Sequence, residues 1–123
     1  MRWESGAPEL TIQVFEDPDL YVVRLIGEFD VASAEKVDSI LRDCERRARS
    51  TVLVDLEDLD FIDSTGLKTL LEAKRRAEGD GLFLRATGCR GAVARLLEVT
   101  GVDGELVLPA SGNGGPRWFA NLD

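Results

Sequence analysis

Apolar residues recur along this chain in two periods. From Leu10 to Phe15 they alternate, Leu10, Ile12 and Val14 against Thr11, Gln13 and Phe15, the period of a half-buried strand. Asp17-Pro18-Asp19 reads as a turn and Leu20 to Ile26 as a second strand, so the two predict a hairpin. From Ser33 the period changes: Val37, Ile40, Leu41, Cys44 and Ala48 form one stripe of a helix. Ser33 is the expected N-cap, with Glu35 and Asp38 early and Arg46, Arg47 and Arg49 late, matching the helix dipole. Thr51 to Leu56 reads as a buried strand. A second helix is predicted from about Ser64 to Glu78, with Leu67, Leu70 and Leu71 inward and Gly79-Asp80-Gly81 ending it. A strand over Leu82 to Ala86, a helix over Gly91 to Thr100 stopped by Gly101, and a short strand over Glu105 to Leu108 complete the pattern.

The order β-β-α-β-α-β-α-β places the chain in the α/β class. Strands separated by single helices call for right-handed crossovers, hence a mixed, largely parallel sheet with an opening β-hairpin and three main helices. One domain is expected over residues 1–109. Residues 110–123 are expected to form a flexible C-terminal tail, because Ser111-Gly112-Asn113-Gly114-Gly115-Pro116 has the composition of a linker. The aromatic pair Trp118-Phe119 follows it, and the sequence does not decide whether that pair packs on the domain or on a partner.

Composition removes most chemistry. The 123 residues suffice for one core, and 44% hydrophobic with 31% charged residues is ordinary for a folded domain. A net charge of -8 argues against nucleic acid and against an anionic membrane surface, both of which need clustered cations. The chain opens without a basic and then apolar leader, and no apolar stretch nears the roughly 20 residues of a membrane helix, so a cytoplasmic location is expected. There is no histidine, which excludes Ser-His-Asp and Cys-His catalysis and imidazole metal ligands. Cys44 and Cys89 alone do not make a thiolate zinc site and are read as small packed groups. The expectation is a protein that is not an enzyme, with no catalytic residue, metal or cofactor.

The informative stretch runs from Asp55-Leu56 through an acidic loop to Phe61-Ile62-Asp63-Ser64-Thr65-Gly66-Leu67. It leaves a strand and enters a helix at Ser64, placing a hydroxyl beside free backbone N–H groups and the positive end of the dipole. In the plain structural reading Ser64 is the N-cap and Asp63 a loop acid. Gly66 costs about 1 kcal/mol against Ala inside a helix. Its place in the first turn is read as leaving room for another protein's surface.

Two segments resemble the STAS domain in its stand-alone form, the bacterial anti-sigma factor antagonist. Gly27-Glu28-Phe29-Asp30, with Ala32 and Ala34 beyond, is similar to that family's entry to its first helix. Asp55-Leu56 with Phe61 to Leu67 is similar to its phosphorylation signature. The likeness covers about Leu10 to Leu108. It implies that Ser64 is phosphorylated by a partner that is both anti-sigma factor and serine kinase, and that Asp30, Asp63, Ser64, Thr65, Gly66 and Lys68 form the docking face. Unphosphorylated protein would hold the anti-sigma factor and free a sigma factor. Phosphorylation would release it, and a phosphatase would reset Ser64. Lys68 departs from the small residue common there, Phe29 replaces the usual Leu, and Thr65 adds a second hydroxyl.

Three other readings compete with this one. A receiver-like phospho-aspartate protein would use Asp55 but needs paired acids after its first strand and a lysine near its last, whereas Asp17 and Asp19 lie in a turn. A phosphate loop is interrupted in Gly66-Leu67-Lys68-Thr69 by Leu67. The same fold as a constitutive interaction subunit, for instance beside a lipid-transport ATPase, would use the same face without phosphorylation.

Overall fold

Six strands join in one mixed sheet whose helices all bury apolar side chains in a single core. The computed structural model describes residues 2–4 and 9–108. In chain order the elements are β1 (Arg2–Glu4), β2 (Leu10–Asp17), β3 (Leu20–Phe29), α1 (Val31–Arg47), β4 (Thr51–Asp55), β5 (Leu59–Ile62), α2 (Ser64–Gly79), β6 (Phe83–Thr87), α3 (Gly91–Thr100) and α4 (Asp103–Leu106). The path across the sheet is β1-β2-β3-β4-β6, with β5 also on β3. The first two pairings are antiparallel and the other three parallel, so the expected mixed, largely parallel α/β sheet with its opening hairpin is present.

β3 is long enough to serve two partners. Its first half, Leu20 to Arg24, pairs with β4, and its end, Gly27 to Phe29, pairs with β5 after an irregularity between Gly27 and Glu28. Gly27 permits this crossing. It has φ 106°, and a Cβ there would run into the carbonyl oxygen of Glu9. The Gly27 N–H donates to Asp58 O (3.1 Å) and that of Glu28 to Glu9 O (3.0 Å), so the backbone switches partners without leaving a donor unpaired.

The core lies between the sheet and the helices. Val37, Leu41 and Cys44 of α1, Leu67, Leu70, Ala73 and Ala77 of α2, and Val93 and Leu97 of α3 meet Leu10, Ile12, Val23, Leu25, Val52, Val54, Leu84 and Ala86 of the strands. A period of 3.6 meeting a period of 2 produces this two-layer arrangement. α1 and α2 are also clamped by Arg76, which donates to both carboxylate oxygens of Glu45 (2.7 and 2.8 Å) and to Asp38 (3.3 Å). Glu45 is buried, so the bidentate bond compensates the loss of its hydration.

Three expectations are corrected, and one strand is added. Ser33 is not the cap of α1, since the helix begins at Val31 with Asp30 as N-cap and Ser33 inside the capping box. The acidic loop before Asp63 contains a strand, β5, because Leu59 and Ile62 are buried around the exposed Asp60 and Phe61. The strand expected over Glu105 to Leu108 is a short helix, α4, followed by a single parallel bridge from Val107 to Ala86. The chain also begins with β1, which no period announced. The expected tail from Ala110, with Trp118-Phe119, lies outside the described residues.

Candidate functional site

At the end of β5 the chain turns into α2, and Asp63 holds that corner. Its N–H donates to Phe29 O at the end of β3 (3.2 Å). Its Oδ1 accepts from the Gly66 N–H (2.8 Å), which makes Asp63 the N-cap of α2. Its Oδ2 accepts from the Val31 N–H (3.1 Å), the first residue of α1. One carboxylate therefore satisfies donors of two helix N-termini. Asp30 completes the pair: its Oδ1 accepts from the Ala32 N–H (3.0 Å) as the cap of α1. The two caps place two carboxylates and two positive helix ends at one corner.

This arrangement reassigns Ser64. Because Asp63 caps α2, Ser64 becomes the first helical residue, exposed to solvent, and among the described residues no hydrogen bond engages its hydroxyl. The plain reading, with Ser64 as cap and Asp63 as loop acid, is reversed. Thr65 is half-buried, and Lys68 is exposed one turn further along α2.

Gly66 differs from its expected role. It is buried, and a Cβ there would lie 2.9 Å from Ile62 Cγ1 and 3.0 Å from the Phe29 carbonyl oxygen. The close approach it permits is that of α2 to the ends of β3 and β5, inside the molecule. Gly66 therefore shapes the corner from behind and does not present a surface.

Two residues that patterning did not single out flank Ser64. Val31 is 70% exposed in the first turn of α1 and Phe61 is 45% exposed on β5. Phe61 had a weak signal, an aromatic beside buried Leu59 and Ile62; Val31 had none until Asp30 was placed as the cap. Asp60, Ser64 and Lys68 are exposed as well, and Asp30 is partly exposed.

The rival chemistries are not assembled. Asp55 is buried and occupied, accepting from Arg24 Nε (3.1 Å) and the Glu57 N–H (3.0 Å). Asp17 and Asp19 flank the β2–β3 turn, beside the start of β4, whereas Asp55 ends that strand. Gly66 to Thr69 lies wholly within α2, so it is not a phosphate loop. Burial pushes the Cys44 thiol up to about 12 and the Cys89 thiol up to about 11, which keeps both protonated at neutral pH. Among the described residues no group of three or more His, Cys, Asp or Glu side chains is placed to hold a metal ion, and no helix is long and apolar enough to cross a membrane.

The family model described as STAS domain matches residues 11–113, from β2 past α4. The chain belongs to the STAS domain family. Among proteins similar to this STAS domain is the anti-sigma-B factor antagonist of Staphylococcus aureus, 26% identical over 93 residues, covering 76% of this chain and 86% of that protein. Among solved structures, an anti-sigma factor antagonist from Mycobacterium paratuberculosis superposes with a TM-score of 0.75 at 22% identity, covering 89% of this chain and 93% of the other. The Bacillus cell fate determinant SpoIIAA in its phosphorylated form gives a TM-score of 0.66 at 19% identity, covering 91% and 99%. At these identities the structural likeness establishes the STAS fold and no more.

Proposed function

We propose that this STAS domain is an anti-sigma factor antagonist whose docking is switched off by phosphorylation of Ser64. The observation that carries the proposal is the exposed Ser64 hydroxyl, which the fold does not use because Asp63 caps the helix in its place. Unphosphorylated protein binds an anti-sigma factor that is also a serine kinase, and so releases a sigma factor. Transfer of phosphate to Ser64 ejects that partner, and a phosphatase restores the starting state. The kinase brings the nucleotide and its metal, so the antagonist needs no cofactor and is not an enzyme. It works in the cytoplasm and engages neither nucleic acid nor membrane. The Staphylococcus relative carries the name of an anti-sigma-B factor antagonist, and SpoIIAA of the same fold has been solved phosphorylated.

The switch follows from charge. Phosphoserine adds about -1.5 to -2 charges. At the first turn of α2 the helix dipole stabilises that charge by roughly 0.3–1 kcal/mol, so the domain tolerates it. Under a docked partner the same phosphate loses water beside Asp63, Asp30 and Asp60. Desolvating a charge costs several kcal/mol unless it is matched, and like charges add repulsion. A net loss of ~3 kcal/mol weakens binding over a hundredfold. The interface penalty exceeds the dipole's gain, so the partner leaves while the domain stays folded. Val31 and Phe61 supply the apolar contact that is made before the phosphate arrives.

The test is a pull-down with wild type, Ser64→Ala and Ser64→Asp, with ATP then added to the bound fraction and the phosphate mapped by mass spectrometry. Ser64→Ala retains a kinase, Ser64→Asp recovers little of it, and wild type elutes with phosphate on Ser64. Equal recovery of one partner by all three, without phosphate on Ser64, would sink the switch and favour a constitutive subunit.

A further inference from the structure

Four cations lie along α2, and three of them are engaged. Lys74 Nζ is 3.0 Å from Glu78 Oε1 and 3.7 Å from Glu105 Oε2, and Arg75 reaches Glu105 at 3.8 Å. Arg76 holds Glu45 and Asp38. Lys68 is the exception: it is exposed, and among the described residues no carboxylate pairs with it, Glu72 one turn beyond included. It stands four residues after Ser64, whose hydroxyl is likewise exposed and unengaged. On one helix that spacing sets two side chains side by side, about 5–6 Å apart at Cβ. An anion in front and a cation four residues behind is also the orientation that helices favour.

A phosphate on Ser64 would meet a corner short of donors and rich in acids. Asp63 Oδ1 already accepts from the Gly66 N–H (2.8 Å) and the Asp63 carbonyl from the Leu67 N–H (3.0 Å), so two donors of the first turn are spent. The nearby titratable groups on the elements meeting there are carboxylates. They are Asp63 itself, Asp30 and Glu35 at the start of α1, Asp60 on β5, and Glu28, paired with Phe61 at the end of β3. Lys36 of α1 lines a cleft with Tyr21 and Asp43 instead. Like charges resist the second ionisation of a phosphate, so these acids would keep part of it singly charged near neutral pH. A cation one turn along the helix works against them.

We infer that Lys68 is the partner, within the chain, of a phosphate on Ser64: its ammonium donates to the phosphate oxygens across one turn of α2. This rests on the Ser64 switch proposed above, and it adds the residue that keeps the switch fully charged. With Lys68 in place the phosphate carries its second charge in spite of the surrounding acids. A returning partner would have to dehydrate the ion pair as a whole, a cost that the attraction within an exposed helical pair does not cover. In the unphosphorylated protein the same side chain stays solvated and leaves the corner unchanged.

The test uses full-length protein with phosphoserine placed at position 64 during synthesis, so that no kinase is needed. Phosphorus NMR spectra followed through mildly acidic to neutral pH give the midpoint of the second ionisation. That step adds one charge, so Lys68 contributes one helical ion pair: the midpoint should lie about 0.2–0.4 pH unit lower in wild type than in Lys68→Ala. Lys68→Arg should restore the wild-type midpoint, and about 0.5 M salt should erase most of the difference. Arg75→Ala is the control for net charge. Arg75 is exposed and eleven residues from Ser64, about 16 Å along the helix and roughly two Debye lengths away, so its loss should leave the midpoint unmoved. Equal midpoints for wild type and Lys68→Ala overturn the inference, as does an equal shift in Arg75→Ala. A Lys68-dependent shift in a protein whose Ser64 no kinase modifies would sink the switch alone, whereas Ser64 phosphorylated by its partner without that shift would sink the Lys68 pairing alone.

Discussion

Asp63 accepts the Val31 backbone N–H at 3.1 Å, so a side chain at the start of one helix caps the start of another. Its second oxygen caps its own helix through Gly66, and Asp30 caps its neighbour, which locks the corner that carries Ser64. Under the proposed switch, a corner held this way would dock a partner without rearranging, and its local charge would be set before phosphorylation.

Asp63→Ala should cost about 2 kcal/mol in stability. Loss of the α2 cap accounts for roughly 1 kcal/mol, and orphaning the Val31 N–H for roughly another. Urea unfolding measures it. A loss of only about 1 kcal/mol, that of the α2 cap alone, would show that the bond to Val31 contributes nothing.

Ser64→Ala should leave stability within about 0.5 kcal/mol of wild type, as at surface sites without a structural bond. Were Ser64 the helix cap, the loss would be about 1 kcal/mol. Comparing the two unfolding midpoints separates the assignments, and it does so without any partner present.

Gly66→Ala should destabilise despite improving helix propensity by about 1 kcal/mol. The new methyl meets Ile62 Cγ1 at 2.9 Å and the Phe29 carbonyl oxygen at 3.0 Å, and the latter is backbone. Overpacking of this kind costs about 1–3 kcal/mol, so the net change is a loss of up to about 2 kcal/mol. A more stable Gly66→Ala would mean the glycine serves an external surface after all.

Arg76→Ala should cost about 2–3 kcal/mol, because it leaves Glu45 buried with no cation at its two oxygens. Arg76 is itself partly exposed, which holds the loss below that of a fully buried pair. The double variant Arg76→Met/Glu45→Leu should recover most of it. Thermal unfolding of the three variants checks this, and a double variant as weak as the single one would rule out the unpaired charge as the cause.

The thiols give a pH dependence with a definite sign. Cys44 is raised by burial to about 12 and Cys89 to about 11, from an ordinary value of 9.0. The unfolded chain therefore releases these protons first. The stability they contribute is complete below pH 9 and is lost as pH climbs toward 11 and 12. The Cys44 contribution has a limiting slope of about 1.4 kcal/mol per pH unit. Urea midpoints from pH 8 to 11 should fall less steeply for Cys44→Ala than for wild type. Parallel curves would show that Cys44 is not protected.

The longer segments that bury one face are legible in their local pattern. α3 runs from Gly91 to Thr100 and ends at Gly101, as its apolar spacing and glycine stop predict. The β2–β3 hairpin, β4 and α2 follow from alternation, from a continuous apolar run and from the 3.6 stripe of Leu67 and Leu70. The position of Ser64 at a strand-to-helix corner is likewise local, because the change of period and the loss of regular donors both occur there.

What the tertiary structure alone decided is the use of the groups at that corner. Whether Asp63 or Ser64 caps α2 depends on a carboxylate reaching the N–H of a residue 32 positions earlier in the chain, beyond any local period. Gly66 is small because Phe29 and Ile62, brought together by β3–β5 pairing, occupy the space behind it. Four-residue β5 and the bridge at Val107 exist because neighbouring strands offer paired hydrogen-bond partners, which a short stretch cannot specify by itself. Burial on one face is written into each segment, whereas the partner of each polar group is settled only when distant segments meet.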